Sequence, residues 1–360
     1  MKLLEDVTLG KQILKNAVAM APMTRSRADE KGIVGDLTAL YYKQRAGAGL
    51  IIAEGINISE QALGSPYTPG LFNREQVDAW KKVTEAVHSE GGVIYAQLWH
   101  TGRVGHSTVK NGELPVAPSA VPILGQQHFT GQGMADYETP RALTTEEVKQ
   151  IVKDYRQASV NAIEAGFDGV ELHAAFGYLP NQFLAESSNQ RTDEYGGSVE
   201  NRNRFVLEVM RELVDAVGAE KVGIKLSPTI PYNSILNDDP KTQFTALIKG
   251  LNELSLSYVH LMNGLFPLDK LPHYPTDVMA TFGTLSNSTV IANGGYNKET
   301  GEAELKRGIA KIIAYGGLFL ANPDLPKRFE LDSELNKADQ ATMYGGGAEG
   351  YVDYPFLEEA

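Results

Sequence analysis

Eight short apolar segments recur along the 360-residue chain, and a longer stretch with helical periodicity follows each of them. The segments are VAMAP (18–22), LIIAEG (50–55), VIYAQL (93–98), GVELH (169–173), VGIKLS (222–227), YVHLMN (258–263), TVIANG (289–294) and KIIAYG (311–316). Their apolar residues are continuous rather than alternating, which is typical of strands buried on both faces of a parallel sheet. The pattern predicts an α/β protein with eight parallel strands.

The stretches between these strands carry helix signals. Asn73 with Gln76 starts one predicted helix, Thr144 with Glu147 forms a capping box, and an apolar stripe over 205–218 predicts another helix. Eight strands alternating with helices favour a TIM (β/α)8 barrel. An open doubly wound sheet is the alternative, but no Gly-x-Gly-x-x-Gly follows an early strand.

We expect one barrel domain over residues 1–360, although length alone would suggest two domains. The one long interruption lies at about 99–143, between the third and fourth strands, and is rich in Gly and Pro. Loops of this length are usually functional. On a barrel, this insertion would lie beside the mouth of the active site.

Composition narrows the class of protein. The net charge of −12 argues against nucleic acid or an anionic membrane as the main partner. The absence of cysteine excludes disulfides, thiolate nucleophiles and iron–sulfur clusters. The N-terminal segment lacks the features of a secretion signal, and no apolar run has the length of a membrane span. We therefore expect a cytoplasmic monomer or small homo-oligomer that acts on a small molecule.

Barrel active sites lie where the strands end. Thr24, Gln97 and Lys225 stand at or just beyond three predicted strand ends, and the last two strands end in the glycine turns 294–295 and 316–317. Such turns commonly bind phosphate with backbone N–H groups, although they can also be ordinary strand-to-helix turns. Together these residues favour a phosphorylated planar cofactor such as a flavin.

Other chemistries have less support. The chain has no His-Glu-x-x-His motif and no carboxylate cluster with ligand spacing, so no metal is expected. No Gly-x-Ser-x-Gly elbow and no P-loop occur. A Schiff-base lyase on Lys225 is the remaining barrel alternative, but it does not explain the glycine turns.

The fourth strand ends on His173, and Phe176 and Tyr178 follow closely. Two of these side chains can exchange or donate protons, and an inert ring stands between them. The segment that contains these residues, together with five further segments, resembles the old yellow enzyme family of FMN-dependent ene-reductases. The resemblance covers nearly the whole length of the chain. The segments are NAVAMAPMTRSRA, YYKQRAGAGLIIAEG, YAQLWHTGRVGH, FDGVELHAAFGYLPNQFLAESSNQRTDEYGGSVENRNRF, FLANPDLPKRF and YGGGAEGYVDYPF.

The resemblance implies a barrel with FMN at its C-terminal face. The residues implied to hold FMN are Ala21, Pro22, Met23, Thr24, Gly55, Gln97, Lys225, Gly295, Gly316 and Gly317. Thr24 would bond a flavin carbonyl, Gln97 would bond the pyrimidine ring, and Lys225 would lie beside N1 and O2. The glycines of the last two turns would bind the phosphate.

The resemblance also implies the reaction. NADH or NADPH would deliver hydride to the flavin, which would pass it to the β-carbon of an α,β-unsaturated carbonyl, nitroalkene or maleimide. Tyr178 would protonate the α-carbon, and His173 would hydrogen-bond the activating oxygen. Phe176, Trp99 and Tyr351 would complete the substrate pocket.

Four positions depart from the family pattern, and one of them is Ser65, in GSPYTPG, where a tyrosine is often seen. Phe176 stands where the family has His or Asn, Lys225 where it has Arg beside the flavin, and Gly317 where Arg commonly meets the phosphate. Two hypotheses follow. The chain is an active ene-reductase with altered substrate scope or rate, or it is a degenerate member that binds FMN weakly and serves in ligand binding or sensing.

Overall fold

A closed barrel of eight parallel strands forms the centre of the protein in the computed structural model, which describes residues 1–358. The strands are β1 (Val18–Met20), β2 (Leu50–Asn57), β3 (Ile94–Trp99), β4 (Gly169–Ala174), β5 (Val222–Leu226), β6 (Tyr258–Met262), β7 (Thr289–Asn293) and β8 (Ile312–Tyr315). Each strand pairs in parallel with its neighbours in the chain, and β8 pairs with β1 to close the ring. The predicted (β/α)8 barrel is confirmed.

The α-helices lie between or after these strands. They are α1 (Asp36–Gln44), α2 (Arg74–His88), α3 (Thr145–Glu164), α4 (Leu179–Leu184), α5 (Val199–Val217), α6 (Pro240–Asn252), α7 (Val278–Phe282), α8 (Lys298–Arg307), α9 (Gly317–Ala321) and α10 (Leu325–Leu331). The predicted caps form: Asn73 accepts the backbone N–H of Gln76 at 3.0 Å, and Thr144 and Glu147 make a reciprocal capping box. Among the described residues, no helix combines the length and hydropathy required for a membrane crossing.

The lower end of the barrel is closed by apolar packing. An N-terminal hairpin, Val7–Leu9 with Gln12–Leu14, contributes Leu9 and Leu14 to the cluster inside the barrel. Tyr95 and Tyr258 pack there with ring centroids 5.8 Å apart. The end of the barrel where the strands begin is therefore filled with side chains. The active site is expected at the opposite end, formed by the C-terminal ends of the strands.

The insertion at about 99–143 folds as short strands. Val116–Ala117 pairs with Arg141–Ala142, and Gln127–Phe129 pairs with Met134–Asp136 as a hairpin. The hairpin is attached to the loop after β2, because His128 Nε2 lies 2.6 Å from the carbonyl oxygen of Gly64. Lys110 Nζ donates to the carbonyl of Gln61 at 2.6 Å. These contacts hold the insertion on the side of the barrel where β2 and β3 end.

Candidate active site

The ends of β3, β4 and β5 bring several predicted site residues together. The register pairs Gln97 with Glu171 and His173 with Lys225. Trp99 ends β3, and its indole lies against Gly55, where an added Cβ would be only 2.8 Å from the ring. Gly55 is therefore required for the position of Trp99, a structural role that the sequence did not indicate.

His173, Trp99 and Tyr178 form one aromatic cluster. The ring centroid of Tyr178 lies 4.8 Å from that of His173 and 5.0 Å from that of Trp99, and both pairs are close to perpendicular. Tyr178 stands at the N-cap of the short helix α4. The strand end and the helix start therefore fix these groups relative to each other.

Both proton-bearing groups are neutral. Burial, together with the charge of Lys225, keeps the pKa of His173 well below its usual value. Its Nδ1 is sealed and has no partner among the described residues, which favours a proton on Nε2. Burial also raises the pKa of Tyr178, with contributions from the nearby phenols of Tyr232, Tyr137 and Tyr344. The site thus holds a neutral imidazole and a neutral phenol.

Three tyrosines at this site were missed by sequence reasoning. Tyr137 follows the hairpin of the insertion, Tyr232 belongs to the loop after β5, and Tyr344 lies near the C-terminus. Tyr232 is close enough to Phe176 for their ring centroids to be 6.5 Å apart. No local pattern distinguishes these tyrosines, because three separate segments bring them to the same mouth.

Phe176 occupies an unusual backbone position. Its φ is +55°, a left-handed conformation that bulky residues rarely adopt. Its N–H donates to Ser227 Oγ at 2.9 Å, and its carbonyl accepts from Asn233 Nδ2 at 2.9 Å. The ring then lies 5.6 Å from Lys225 Nζ. Phe176 therefore contacts the strand-end cation as well as the His173 ring.

Lys225 belongs to a buried polar network inside the barrel. Burial lowers its pKa to about 8, and the charge of Glu171 opposes that decrease. Glu171 accepts from Gln97 Nε2 at 2.7 Å, and its other oxygen lies 2.8 Å from His260 Nδ1. The sequence signal for this network was a glutamate in the middle of an apolar strand, since a buried charge requires partners.

The loop after β1 reaches the end of β8. Ala21 donates its N–H to the carbonyl of Tyr315 at 3.0 Å, and Met23 Sδ lies 3.6 Å from the position of a Cβ on Gly316. Pro22 and Thr24 are partly exposed in the same loop. These residues thus border the same mouth as the glycine turn after β8.

The two glycine turns have the chemistry of an anion cradle. Gly295 has φ +75°, which an L side chain rarely adopts. Within residues 1–358, the backbone N–H groups of Gly295 and Gly316 donate no hydrogen bond. A Cβ on Gly317 would meet no atom within 4 Å. Together with the buried cation of Lys225 and the amide of Gln97, these donors fit a phosphorylated flavin.

The structure does not bring Tyr351 into the aromatic cluster. Its side chain is fully buried and stacks on Tyr41 of α1 with centroids 4.3 Å apart, and the Arg27 guanidinium lies 4.4 Å over its ring. The pocket role expected for Tyr351 therefore has no geometric support. Tyr344, seven residues earlier, is the tyrosine of this segment whose phenol contributes to the raised pKa of Tyr178.

A (β/α)8 barrel whose mouth combines a buried cation, uncommitted backbone donors and a neutral phenol–imidazole pair defines the class of flavin-dependent barrel oxidoreductases. The model of the NADH:flavin oxidoreductase / NADH oxidase family matches residues 2–336, and the chain belongs to this family. It is 43% identical over 361 residues to 12-oxophytodienoate reductase 1 of Oryza sativa subsp. japonica, covering 99% of this chain and 93% of that protein.

Solved structures give the same result. Morphinone reductase superposes with a TM-score of 0.94 at 44% identity, covering 99% of this chain and 96% of that chain. The old yellow enzyme homologue from Zymomonas mobilis also gives 0.94, at 39% identity and with 99% and 100% coverage. The predicted family, the FMN cofactor and the NAD(P)H-dependent reduction of activated C=C bonds are confirmed. The hypothesis of a degenerate ligand-binding member receives no support from these relatives.

Proposed function

We propose that the mouth described above is the ene-reductase site, with Tyr178 as proton donor and His173 as the hydrogen-bond donor to the substrate's activating oxygen. The observation that carries this assignment is the perpendicular His173–Tyr178 pair, 4.8 Å between centroids, beside the end of β5. When bound, FMN supplies hydride transfer from NADH or NADPH to carbon. The side chains supply binding, orientation and the proton.

The cofactor would lie across the strand ends. Thr24 would bond a flavin carbonyl, Gln97 would bond the pyrimidine ring, and Lys225 would lie at N1 and O2. Ala21, Pro22, Met23 and Gly55 would border the ring system, and Gly295, Gly316 and Gly317 would bind the phosphate. The uncommitted N–H groups of Gly295 and Gly316 support this direction for the phosphate.

The neutral imidazole of His173 and the neutral phenol of Tyr178 would act on different atoms of the activated alkene. His173 donates from Nε2 to the carbonyl or nitro oxygen as negative charge develops there, and its lowered pKa keeps that nitrogen from carrying a full charge. Tyr178 protonates the α-carbon, and its raised pKa keeps the proton on the phenol until a carbanion develops. Trp99 and Phe176 wall the substrate.

We infer that the substrates are α,β-unsaturated carbonyls, nitroalkenes or maleimides with an apolar body. Phe176 cannot donate to the activating oxygen, so His173 would act alone there. The wall that Phe176 forms with Tyr232 is aromatic and favours apolar substituents. The relatives named above reduce oxophytodienoate and morphinone, as their names state.

We further propose that residues 1–360 act as one domain, with the insertion at about 99–143 beside the site. The protein would work in the cytoplasm as a monomer or small homo-oligomer. The absence of cysteine agrees with a compartment where disulfides do not contribute to stability. Cell fractionation and light scattering on the purified protein would test both statements.

One preparation tests the function. The purified protein should be yellow, NADH or NADPH should bleach it without oxygen, and 2-cyclohexenone or N-ethylmaleimide should restore the colour. Tyr178→Phe should slow the return of colour about 100-fold while leaving the bleaching rate unchanged. A colourless protein that gains no flavin absorbance with added FMN, or equal losses in both steps for Tyr178→Phe, would contradict the proposal.

A further inference from the structure

Glu171 is a charged residue that the reaction described above does not use. It lies in the middle of β4 with no solvent exposure, and both of its carboxylate oxygens have partners inside the barrel. Gln97 on β3 donates to one oxygen at 2.7 Å, and His260 on β6 lies 2.8 Å from the other. The carboxylate therefore links three strands beneath the mouth of the barrel.

The charge states of this network follow from its surroundings. Burial opposes ionisation of Glu171, but His260, Lys225 and Gln97 outweigh it and hold the pKa of Glu171 below its usual value. Burial and the charge of Lys225 lower the pKa of His260, so the imidazole is neutral. An ionised carboxylate accepts hydrogen bonds and donates none. Gln97 must therefore turn its NH2 group towards Glu171.

The orientation of Gln97 determines what the mouth of the barrel offers. With Nε2 committed to Glu171, its Oε1 is the group left over. Among the described residues this oxygen accepts no hydrogen bond, so it is available to accept one from a group bound at the mouth. The pyrimidine edge of a flavin carries one N–H donor, N3–H, between two carbonyls. The amide oxygen of Gln97 can accept a hydrogen bond from N3–H. If the Gln97 amide were flipped, its NH2 group would face N3–H and no hydrogen bond could form.

The same carboxylate faces Lys225. Lys225 on β5 pairs with His173, two residues beyond Glu171 on β4, so the side chains of Glu171 and Lys225 point to the same face of adjacent strands. Apart from a long hydrogen bond of 3.5 Å to Asn293 Oδ1, Lys225 Nζ makes no side-chain hydrogen bond among residues 1–358. Glu171 supplies the negative charge that favours the ammonium form at this buried position. Removing the charge of Glu171 would leave Lys225 with a greater fraction of neutral amine near neutral pH.

We propose that Glu171 is a positioning residue for the flavin: it fixes the Gln97 amide so that a carbonyl oxygen faces N3–H, and it keeps Lys225 cationic. This inference rests on the proposed function, which places Gln97 and Lys225 at the pyrimidine ring. Glu171 itself touches neither flavin nor substrate. Its effect is transmitted through two neighbours on adjacent strands.

Two variants separate the two effects. Glu171→Gln preserves the size of the side chain but removes the charge, and its amide can face Gln97 with either O or NH2. Glu171→Asp preserves the charge but withdraws the carboxylate by one methylene from Gln97. Glu304→Gln is the matched control, because Glu304 is also a buried carboxyl group but lies on α8, outside the barrel.

The first measurement uses the cofactor-free protein. NMR of ¹³C-labelled lysine should show Lys225 titrating about one pH unit lower in Glu171→Gln than in the wild type, whereas Glu171→Asp and Glu304→Gln stay close to the wild type. The second measurement uses protein loaded with ¹⁵N-labelled FMN. Exchange of the N3 proton with water should accelerate about tenfold in Glu171→Gln and Glu171→Asp but not in Glu304→Gln.

The proposal is overturned if either measurement on Glu171→Gln matches the wild type. If Glu171→Gln does not fold, wild-type N3 protection in Glu171→Asp overturns it. An unprotected N3 proton in the wild type with FMN bound rejects the placement of Gln97 in the proposed site and with it the role of Glu171, whereas the assignment of Tyr178 and His173 is tested separately by the colour assay. Protection in the wild type that is unchanged in the variants rejects the role of Glu171 alone.

Discussion

Phe176 combines a costly backbone conformation with a side chain that offers no hydrogen bond. A left-handed φ costs an L-residue roughly 1–2 kcal/mol, and Asn and His are enriched in that region. The backbone N–H of residue 176 donates to Ser227 Oγ and its carbonyl accepts from Asn233 Nδ2, and neither bond involves the side chain of residue 176. The backbone at this position therefore favours a residue such as Asn or His, but it is occupied by a ring that contacts Lys225.

Replacing Phe176 by Asn or His should increase turnover on cyclic enones. The new side chain adds a donor beside His173 without adding backbone strain, and a donor to a developing oxyanion is worth up to about 3–4 kcal/mol. We expect kcat/KM for 2-cyclohexenone to rise at least about tenfold, measured by stopped-flow reoxidation without oxygen. Phe176→Leu, which supplies no donor, is the control. No gain at unchanged flavin content would show that this position is not a missing substrate donor.

Lys225 makes FMN binding depend on pH. Its pKa of about 8 means that the ammonium is present below pH 8 and is lost as the pH rises through that value. The loss replaces a charged donor by a neutral one, a difference of about 1 kcal/mol or about fivefold in affinity. Titrations of cofactor-free protein with FMN between about pH 7 and 9.5 should show this weakening. Lys225→Arg, which stays charged, should bind with a flat profile over the same range.

The turn between β8 and α9 has a glycine, Gly317, at a position where its backbone would accept a side chain. A Cβ on Gly317 has free space on all sides, and its φ is not in the left-handed region. The backbone therefore does not require glycine here. By contrast, Gly295 has φ +75° and is restricted by its backbone.

Gly317→Arg should tighten FMN binding. A guanidinium bond to phosphate is worth about 1.5–3 kcal/mol, which corresponds to roughly 10- to 100-fold in Kd. Affinity for riboflavin, which has no phosphate, should change little. Gly317→Gln provides a shorter, uncharged donor and should gain less. Equal gains for FMN and riboflavin would place the phosphate elsewhere.

The elements of this protein were predictable from local patterns, and its long-range contacts were not. The eight strands and the caps at Asn73 and Thr144 follow from apolar runs and capping residues that act within a few positions. The hydrogen bond between His260 and Glu171 joins residues 89 positions apart and exists only because the barrel closes. The left-handed φ of Phe176 likewise depends on hydrogen bonds from distant segments.

The C-terminal segment packs against the loop after β1 and helix α1. This packing explains why Tyr351 lies outside the aromatic cluster instead of lining the substrate pocket as expected. Arg25 donates to the carbonyls of Met343 and Gly350, at 3.1 and 2.9 Å, and stacks with Tyr41 and Tyr351. The loop after β1, helix α1 and the C-terminal segment therefore share one buried centre. Tyr351 belongs to this centre, whereas Tyr344 is mostly exposed beside the mouth.

Replacing Tyr351 should consequently change stability, whereas replacing Tyr344 should change substrate binding. Tyr351→Ala removes a buried ring and should lower the free energy of unfolding by about 3–5 kcal/mol, whereas Tyr351→Phe should cost about 1 kcal/mol or less and leave KM for enones unchanged. Tyr344→Ala should change unfolding by less than about 0.5 kcal/mol but alter KM for bulky enones. Denaturant unfolding and steady-state kinetics measure both. A KM effect in Tyr351→Phe with none in Tyr344→Ala would return Tyr351 to the substrate pocket.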